Sequence, residues 1–332
     1  MARATLRDVA AAAGVSVSTA SRALADHPGI AARTRATVRA RAAELNYQPN
    51  AQARALRGSR TNIIGLTVPS LVNPFFATMA HVIQQEATRQ GWSTIISSTD
   101  EDPDRLATSL QTLAALQVDG ILAVPYSGSG DSFARLRHAR VPVVLVDREL
   151  PDADLPTVSS DPRPGVDAAV AHLLDGGHRH IGYLSGPMST STGVGRLAAF
   201  EEACGRRGVE KHEIHHGGYE RSLGHDGTLD LLDRGVEAII AGDSMMSVGA
   251  LEACHARRVR IGEDLALIGF DDNPTMRLQA SPVSVIDQGV ADLALRALTL
   301  LTGLMSGTSP PAPVTLPTTL IIRPSSNFTR RR

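Results

Sequence analysis

Lysine is almost missing from this chain: Lys211 is the only one in 332 residues, so arginine carries nearly all of the positive charge. The bias is compositional and identifies no mechanism. Cysteine is scarce as well. Cys204 and Cys254 are too few for a disulfide framework in a chain of this length and read as reduced packing residues. No uninterrupted apolar run approaches the roughly 18 residues of a membrane-spanning helix, and Ala2 to Asp8 lacks the apolar stretch of a secretory leader. A soluble, cytoplasmic protein is therefore expected, in which the sequon Asn327-Phe328-Thr329 has no meaning. Aromatic residues make up only 3%, so a cluster of them at one place would exceed background.

Catalytic motifs are missing or broken. His212-Glu213-Ile214-His215-His216 matches the HExxH spacing formally, but that motif needs both histidines on one stable helix. Here Gly208, Gly217 and Gly218 bracket the run and the surrounding pattern calls for a strand. Lys211 follows Glu210, not glycine, so no phosphate-binding loop forms around it. Gly193-Val194-Gly195 lacks the acidic residue a dinucleotide site requires about 20 positions on. No Gly-x-Ser-x-Gly elbow occurs. Neither an enzyme nor a bound cofactor or metal is expected.

What is present begins with charge segregation. Ten arginines face three carboxylates up to residue 60, a formal +7, while the whole chain carries −1. A basic head on an acidic body points to a polyanionic partner for one domain only. Within the head, Thr5 and Asp8 form a capping-box-like start, and Leu6, Val9, Ala10 and Ala13 recur at helical spacing. Gly14 ends that helix and Ser16 can cap a second, with Val15, Ala20, Ala23 and Leu24 inward and Val17, Ser18, Thr19, Ser21 and Arg22 outward. A third amphipathic helix is expected over residues 30–46 through Val38, Ala42 and Leu45. Two short helices around a glycine turn make a helix-turn-helix, whose second helix enters the major groove.

The runs TLRDVAAAAGVSVSTASRAL, TRATV and ELNYQPNAQARALR resemble, in order, the head and hinge of the lactose-repressor/galactose-repressor family of bacterial transcription regulators. The resemblance implies base-edge contacts from Val17, Ser18 and Arg22, of which Arg22 suits guanine O6/N7. Ser16, Thr19 and Ser21 are expected on phosphates. Thr5 and, in the hinge, Asn50, Ala53, Arg54, Leu56 and Arg57 complete the expected DNA-contacting set, with Leu56 as a minor-groove wedge between two arginines. Ala31 departs from the family, which usually has a serine cap there, and a missing cap costs roughly 0.5–2 kcal/mol.

From Asn62 onward strands and helices alternate in two halves of similar size, which implies two doubly wound parallel sheets. IGLTVPSLVNPFFATM, VDGILAV, VPVVLVDRE, GHRHIGYLSGP, GRLAAFEEA, AIIAGDSMMSVGAL and DLALIGFDDNP continue the resemblance, whose core is similar to periplasmic sugar-binding proteins. The expected organisation is a head over 1–48, a hinge over 49–60 and a two-lobed core over 61–332. Its first lobe covers about 61–160 and part of 283–332, and its second about 161–282. Ligands in such sheets bind beyond the carboxyl ends of the strands. That rule selects Phe75, Phe76, Asp147, Arg148, Asp161, Thr190, Ser191, Thr192, Arg196, Tyr219, Asp243, Asp271 and Gln288. The resemblance favours Phe76, Asp147, Arg196, Tyr219, Asp243 and Asp271 among them. Carboxylates with flat aromatic faces suit a sugar, and a purine is the alternative.

The function expected is a homodimeric, effector-responsive repressor on a pseudo-palindromic operator. The competing reading is a cytoplasmic sugar-binding or sugar-modifying protein whose head serves only oligomerisation.

Overall fold

The structure, a computed structural model, describes residues 4–47, 60–307 and 313–328, in two units bounded at Thr61 and Asn62. In the first unit, α1 (Leu6–Ala13) opens on a reciprocal capping box. Thr5 Oγ1 accepts from the Asp8 amide at 3.4 Å, and Asp8 Oδ2 accepts from the Thr5 amide at 2.8 Å. Gly14 closes the helix with φ 66°, a conformation that glycine adopts without steric cost. Ser16 caps α2 (Val17–Leu24) by accepting from the Thr19 amide at 3.1 Å. Nothing caps α3 (Ala32–Glu44) through a side chain, because Ala31 has no acceptor to offer.

Val9, Ala10, Ala20, Ala23, Val38 and Ala42 form the centre of this three-helix unit, with Leu6, Val15, Leu24, Ile30 and Tyr47 packed around it. Four of the six central residues are alanines, so little apolar area is buried. Leu45 departs from expectation. It sits at the cap of α3 and is 38% exposed, and Tyr47 packs against the core instead. The hinge residues Asn50, Ala53, Arg54, Leu56 and Arg57 lie outside the described residues.

The second unit alternates β1 (Ile63–Val68), α4 (Pro74–Arg89), β2 (Ser93–Ser98), α5 (Pro103–Ala115), β3 (Gly120–Ala123), α6 (Gly130–His138), β4 (Val143–Asp147) and β5 (Thr157–Asp161). The alternation continues with α7 (Arg163–Asp175), β6 (His180–Ser185), α8 (Ser191–Arg207), β7 (Lys211–His216), α9 (Arg221–Asp233), β8 (Ala238–Ala241), α10 (Ser244–Arg257), β9 (Ala266–Phe270), α11 (Pro274–Arg277) and β10 (Ser284–Asp287). It ends in α12 (Val290–Met305), β11 (Val314–Pro317) and β12 (Thr319–Ile321).

Two six-stranded sheets result, in the orders β11-β5-β4-β3-β1-β2 and β12-β10-β9-β8-β6-β7. Every pairing is parallel except β12 on β10. The central strands are hydrophobic on both faces, as a sheet covered by helices on both sides requires. The first sheet's core runs from Ile64 and Leu66 to Leu293, Leu298 and Leu301 of α12.

The expected lobe boundary is displaced by these pairings. Instead of turning back to the first lobe at Pro282, the chain adds β10 to the second sheet beside β9 and crosses only after Asp287. A third crossing follows Pro317, since β11 pairs with β5 and β12 with β10. The apolar Val285-Ile286 pair suits a strand of either lobe, and its pairing with β9 decides which. α8 starts at Ser191, where Thr190 Oγ1 accepts from the Gly193 amide at 3.0 Å and caps it.

Candidate functional site

The carboxyl ends of both sheets face one cleft, and the residues selected at strand ends converge there. Phe75, Phe76, Asp147 and Arg148 come from the first lobe. Thr192, Arg196, Tyr219, Asp243 and Asp271 come from the second, and Gln288 from the crossing between them. All ten line a single cavity of about 10 Å³, room for roughly one water. Asp161 and Ser191 stand instead at one mouth of the cleft, and Thr190 at the other.

Buried charge dominates the interior. Arg196 is 6% exposed; its Nη1 donates to the Gly242 carbonyl at 2.7 Å, its Nη2 to Gln288 Oε1 at 3.0 Å, and its guanidinium lies 4.2 Å from the Phe270 ring centroid. Gln288 is a hub, since Oε1 also accepts from Ser160 at 2.6 Å and Nε2 donates to Asp271 Oδ1 at 2.7 Å. Ser244 donates to the other Asp271 oxygen at 2.5 Å. Asp243 caps α10, accepting from the Met245 amide at 2.7 Å.

Burial is the first cause at all three carboxylates. It pushes Asp147 and Asp243 above the usual carboxylate range and Asp271 up to about 7, with Arg196 pulling each back toward ionisation. Asp147 and Asp271 are also held at φ 68° and 61°, a region that non-glycine residues occupy mostly where the surroundings enforce it.

Several contacts cross the cleft directly. Asn73, the cap of α4, donates to Asp243 Oδ2 at 3.4 Å, so two helix caps meet. The Glu149 amide donates to Ser191 Oγ at 2.8 Å, and Ser127 donates to the Ser189 carbonyl. The Arg148 guanidinium lies between Tyr126 and Tyr219, 5.2 and 5.4 Å from their centroids. Tyr219 in turn shares hydrogen bonds with Thr192 at 2.8 Å and Thr190 at 3.3 Å.

Sequence reasoning missed Asn73, Glu101, Tyr126, Ser160 and Ser244. One signal was available for Asn73: Asn-Pro follows the strand in both lobes, at Asn73-Pro74 and Asn273-Pro274, and each asparagine caps the helix after it. The HExxH spacing lies on β7, an edge strand. Extended backbone separates His212 from His216 by about 13 Å, too far for one metal ion.

In the first unit, Val17, Ser18 and Arg22 are exposed on α2, Val17 at 39%. Ser16 Oγ is within 2.9 Å of the Ser18 hydroxyl and 2.8 Å of that of Thr19, so the three form one hydroxyl cluster at the start of the helix. Ser21 is half-buried. The Thr5 hydroxyl is engaged with Asp8 Oδ2 at 2.8 Å.

Residues 5–50 match the bacterial regulatory proteins of the lacI family, and residues 170–326 match the periplasmic binding protein-like domain. The chain is 33% identical over 303 residues to the HTH-type transcriptional repressor PurR of Mannheimia succiniciproducens, spanning 90% of this chain and 91% of that one. It is 30% identical over 304 residues to the ribose operon repressor of Escherichia coli K12, spanning 90% and 92%. Its fold superposes on the lac repressor dimer bound to operator and the anti-inducer ONPF with a TM-score of 0.85 at 27% identity, covering 98% of this chain and 99% of that one. With a helix-turn-helix head and two doubly wound lobes around a cleft, the chain belongs to the lacI family of bacterial regulatory proteins, DNA-binding transcription regulators with an effector-binding core.

Proposed function

We propose that the cleft is the effector site and that its ligand is a sugar. The observation that carries this reading is the convergence of ten side chains from both lobes on one cavity. Carboxylates, a carboxamide, a buried guanidinium and threonine suit a ring of hydroxyls, while Phe75, Phe76 and Tyr219 suit its C–H faces. The similarity to a protein named for a ribose operon agrees with this. A purine is the second reading, favoured by the Phe75–Phe76 pair with ring centroids 5.0 Å apart, which could stack on a base.

A sugar touching all ten residues at once exceeds a cavity of about 10 Å³, so on this reading the Asn73–Asp243, Glu149–Ser191 and Ser127–Ser189 contacts part when it binds. Effector binding then changes how the lobes sit, and a differential affinity for the two arrangements is what allostery consists of. The head reads DNA through Val17, Ser18 and Arg22 and holds phosphates through Ser16, Thr19 and Ser21, in a homodimer on a pseudo-palindromic operator, with residues 49–60 as hinge. No helix among the described residues is long and apolar enough to cross a membrane, and operator binding assigns the protein to the cytoplasm.

Asp147→Asn tests the site. Asp147 Oδ1 is buried with no protein partner, so the substitution disturbs the fold little, and asparagine tolerates the left-handed backbone. Loss of a charged acceptor costs about 1–3 kcal/mol. Calorimetry should show sugar affinity at least tenfold weaker, with operator affinity in gel shifts unchanged when no sugar is present. Equal affinity for the sugar would move the site elsewhere.

A further inference from the structure

Arg148 looks at first like an anion receptor. It enters the cleft from the end of β4 with 1% of its surface exposed, and it presents a flat fork of the kind that holds a phosphate by two parallel bonds. Glu101 already occupies that fork, accepting from Nη1 at 2.8 Å and from Nη2 at 2.7 Å. Glu101 comes from the turn between β2 and α5, where it and Asp100 lie at φ 58° and 52°. Two successive left-handed non-glycine residues are a strained way to make a turn, and the result is a carboxylate aimed at Arg148.

The remaining charge is one-sided. With both terminal nitrogens of Arg148 held by Glu101 and its Nε 3.9 Å from Asp147 Oδ2, the three cavity-lining carboxylates of Asp147, Asp243 and Asp271 face one further cation among the described residues, Arg196, whose two terminal nitrogens already donate to Gly242 and Gln288. One mouth of the cleft carries Glu101 and Glu220 and no cation among the described residues. At the other, Arg163 is engaged with Asp161 at 3.3 Å and Glu202 at 3.7 Å.

Two polar atoms here are buried with no hydrogen-bond partner: Asp147 Oδ1 and Arg148 Nε. They ask for one donor and one acceptor. A hydroxyl supplies both, whereas a fully ionised phosphate supplies only lone pairs and brings no donor to Asp147 Oδ1.

We propose that Glu101 is a specificity-determining residue: by holding both terminal nitrogens of Arg148, it sets the cleft to take an uncharged polyol and to refuse the phosphate ester of that polyol. This rests on the cleft being the effector site. The residue is open to substitution, since its side chain is 36% exposed.

The test uses the full chain, wild type, Glu101→Gln and Glu101→Ala, with folding checked by circular dichroism. Probes are D-ribose, D-glucose and D-fructose, their phosphate esters, and inorganic phosphate, read by thermal shift and calorimetry. A sugar that binds the wild type should do so at least tenfold more tightly than its ester, and both variants should narrow that gap at least tenfold. Inorganic phosphate should raise the melting temperature of the variants and leave that of the wild type unmoved. An ester that binds the wild type as tightly as its parent sugar overturns the proposal. So does inorganic phosphate acting no more strongly on the variants than on the wild type. This last arm needs no sugar to bind, so silence from every sugar would count against the sugar reading alone while phosphate still decides the role of Glu101.

Discussion

Raising the pH from 5 to 8 should loosen the core, and Asp271 sets the scale. Its carboxyl is 5% exposed, and burial moves it from the ordinary 3.8 to about 7 against the pull of Arg196, Gln288 and Ser244, with Asp243 adding a like charge. Between those two values the folded chain holds a proton that the unfolded chain has released. The stability this proton supports is complete below about pH 3.8 and disappears as the pH rises through about 7. At about 1.4 kcal/mol per pH unit, the climb from pH 5 to 8 removes about 3 kcal/mol. That is a sizeable part of a typical domain's 5–15 kcal/mol, and it lowers the melting temperature by roughly 5–10 °C.

Scanning calorimetry of the core transition across pH 5–8, in wild type and Asp271→Asn, measures it. Asparagine accepts the left-handed backbone, keeps an oxygen for Gln288 Nε2 and offers Ser244 an amide donor, but it cannot ionise. Its curve should be flatter by about the calculated amount, because the comparison cancels every group the substitution leaves alone. Parallel curves would refute the assignment of a displaced proton to Asp271.

Four further outcomes follow from the packing and the head. At Gly249→Ala the added methyl would stand 2.2 Å from the Arg221 carbonyl oxygen and 2.5 Å from the His225 amide nitrogen; α9 and α10 must separate, at about 1–3 kcal/mol or more, so an unchanged urea midpoint would contradict the observed crossing. Ala31→Ser gives α3 the cap it lacks, and hydrogen exchange of its amides should report stabilisation of about 0.5–2 kcal/mol, with no gain meaning that the hydroxyl turns away. If a dimer neutralises about 6–10 phosphates, operator affinity should fall on the order of 10³–10⁵ between 50 and 200 mM salt. In the same gel shifts Arg22→Ala should cost about 1–3 kcal/mol and relax preference at one base pair per half-site, whereas uniform weakening on all sequences would make Arg22 a phosphate contact.

The strand-end rule made much of the cleft legible because it depends only on alternation: hydrophobic runs such as Val143–Val146 announce a buried strand, and a polar residue directly after one has to face the cleft. Helix starts were legible for a similar local reason, Thr5 with Asp8 and Ser16 with Thr19 being contacts within one turn. Glu101 was not legible. Its importance lies in a partner 47 positions away, and nothing in Asp100-Glu101-Asp102 distinguishes a left-handed turn from a solvated acidic loop. Tyr126 was hidden likewise, since its contact with Arg148 follows from how β3 and β4 adjoin. The lobe crossings failed for another reason: β10 and β12 carry the same short apolar pattern as strands of the first sheet, and only pairing assigns them to the second.

The two sheets share one order, and β4 occupies in the first the place β9 occupies in the second. A buried aspartate at positive φ marks the end of each, Asp147 as the last residue of β4 and Asp271 directly after β9. Aspartate is among the few residues that tolerate that backbone, so the repetition places a preset carboxylate on each side of the cleft. The two differ in what they hold. Asp271 is satisfied by Ser244 of its own lobe and by Gln288 of the crossing, whereas Asp147 keeps an unpartnered oxygen. One lobe therefore brings a carboxylate already braced by its neighbours, and the other brings one with an oxygen left open to a donor. On the proposed reading, that asymmetry makes the first lobe's face of the cleft the place where effector chemistry is read, and Arg148 and Glu101, the pair proposed to tune that face, both belong to the first lobe.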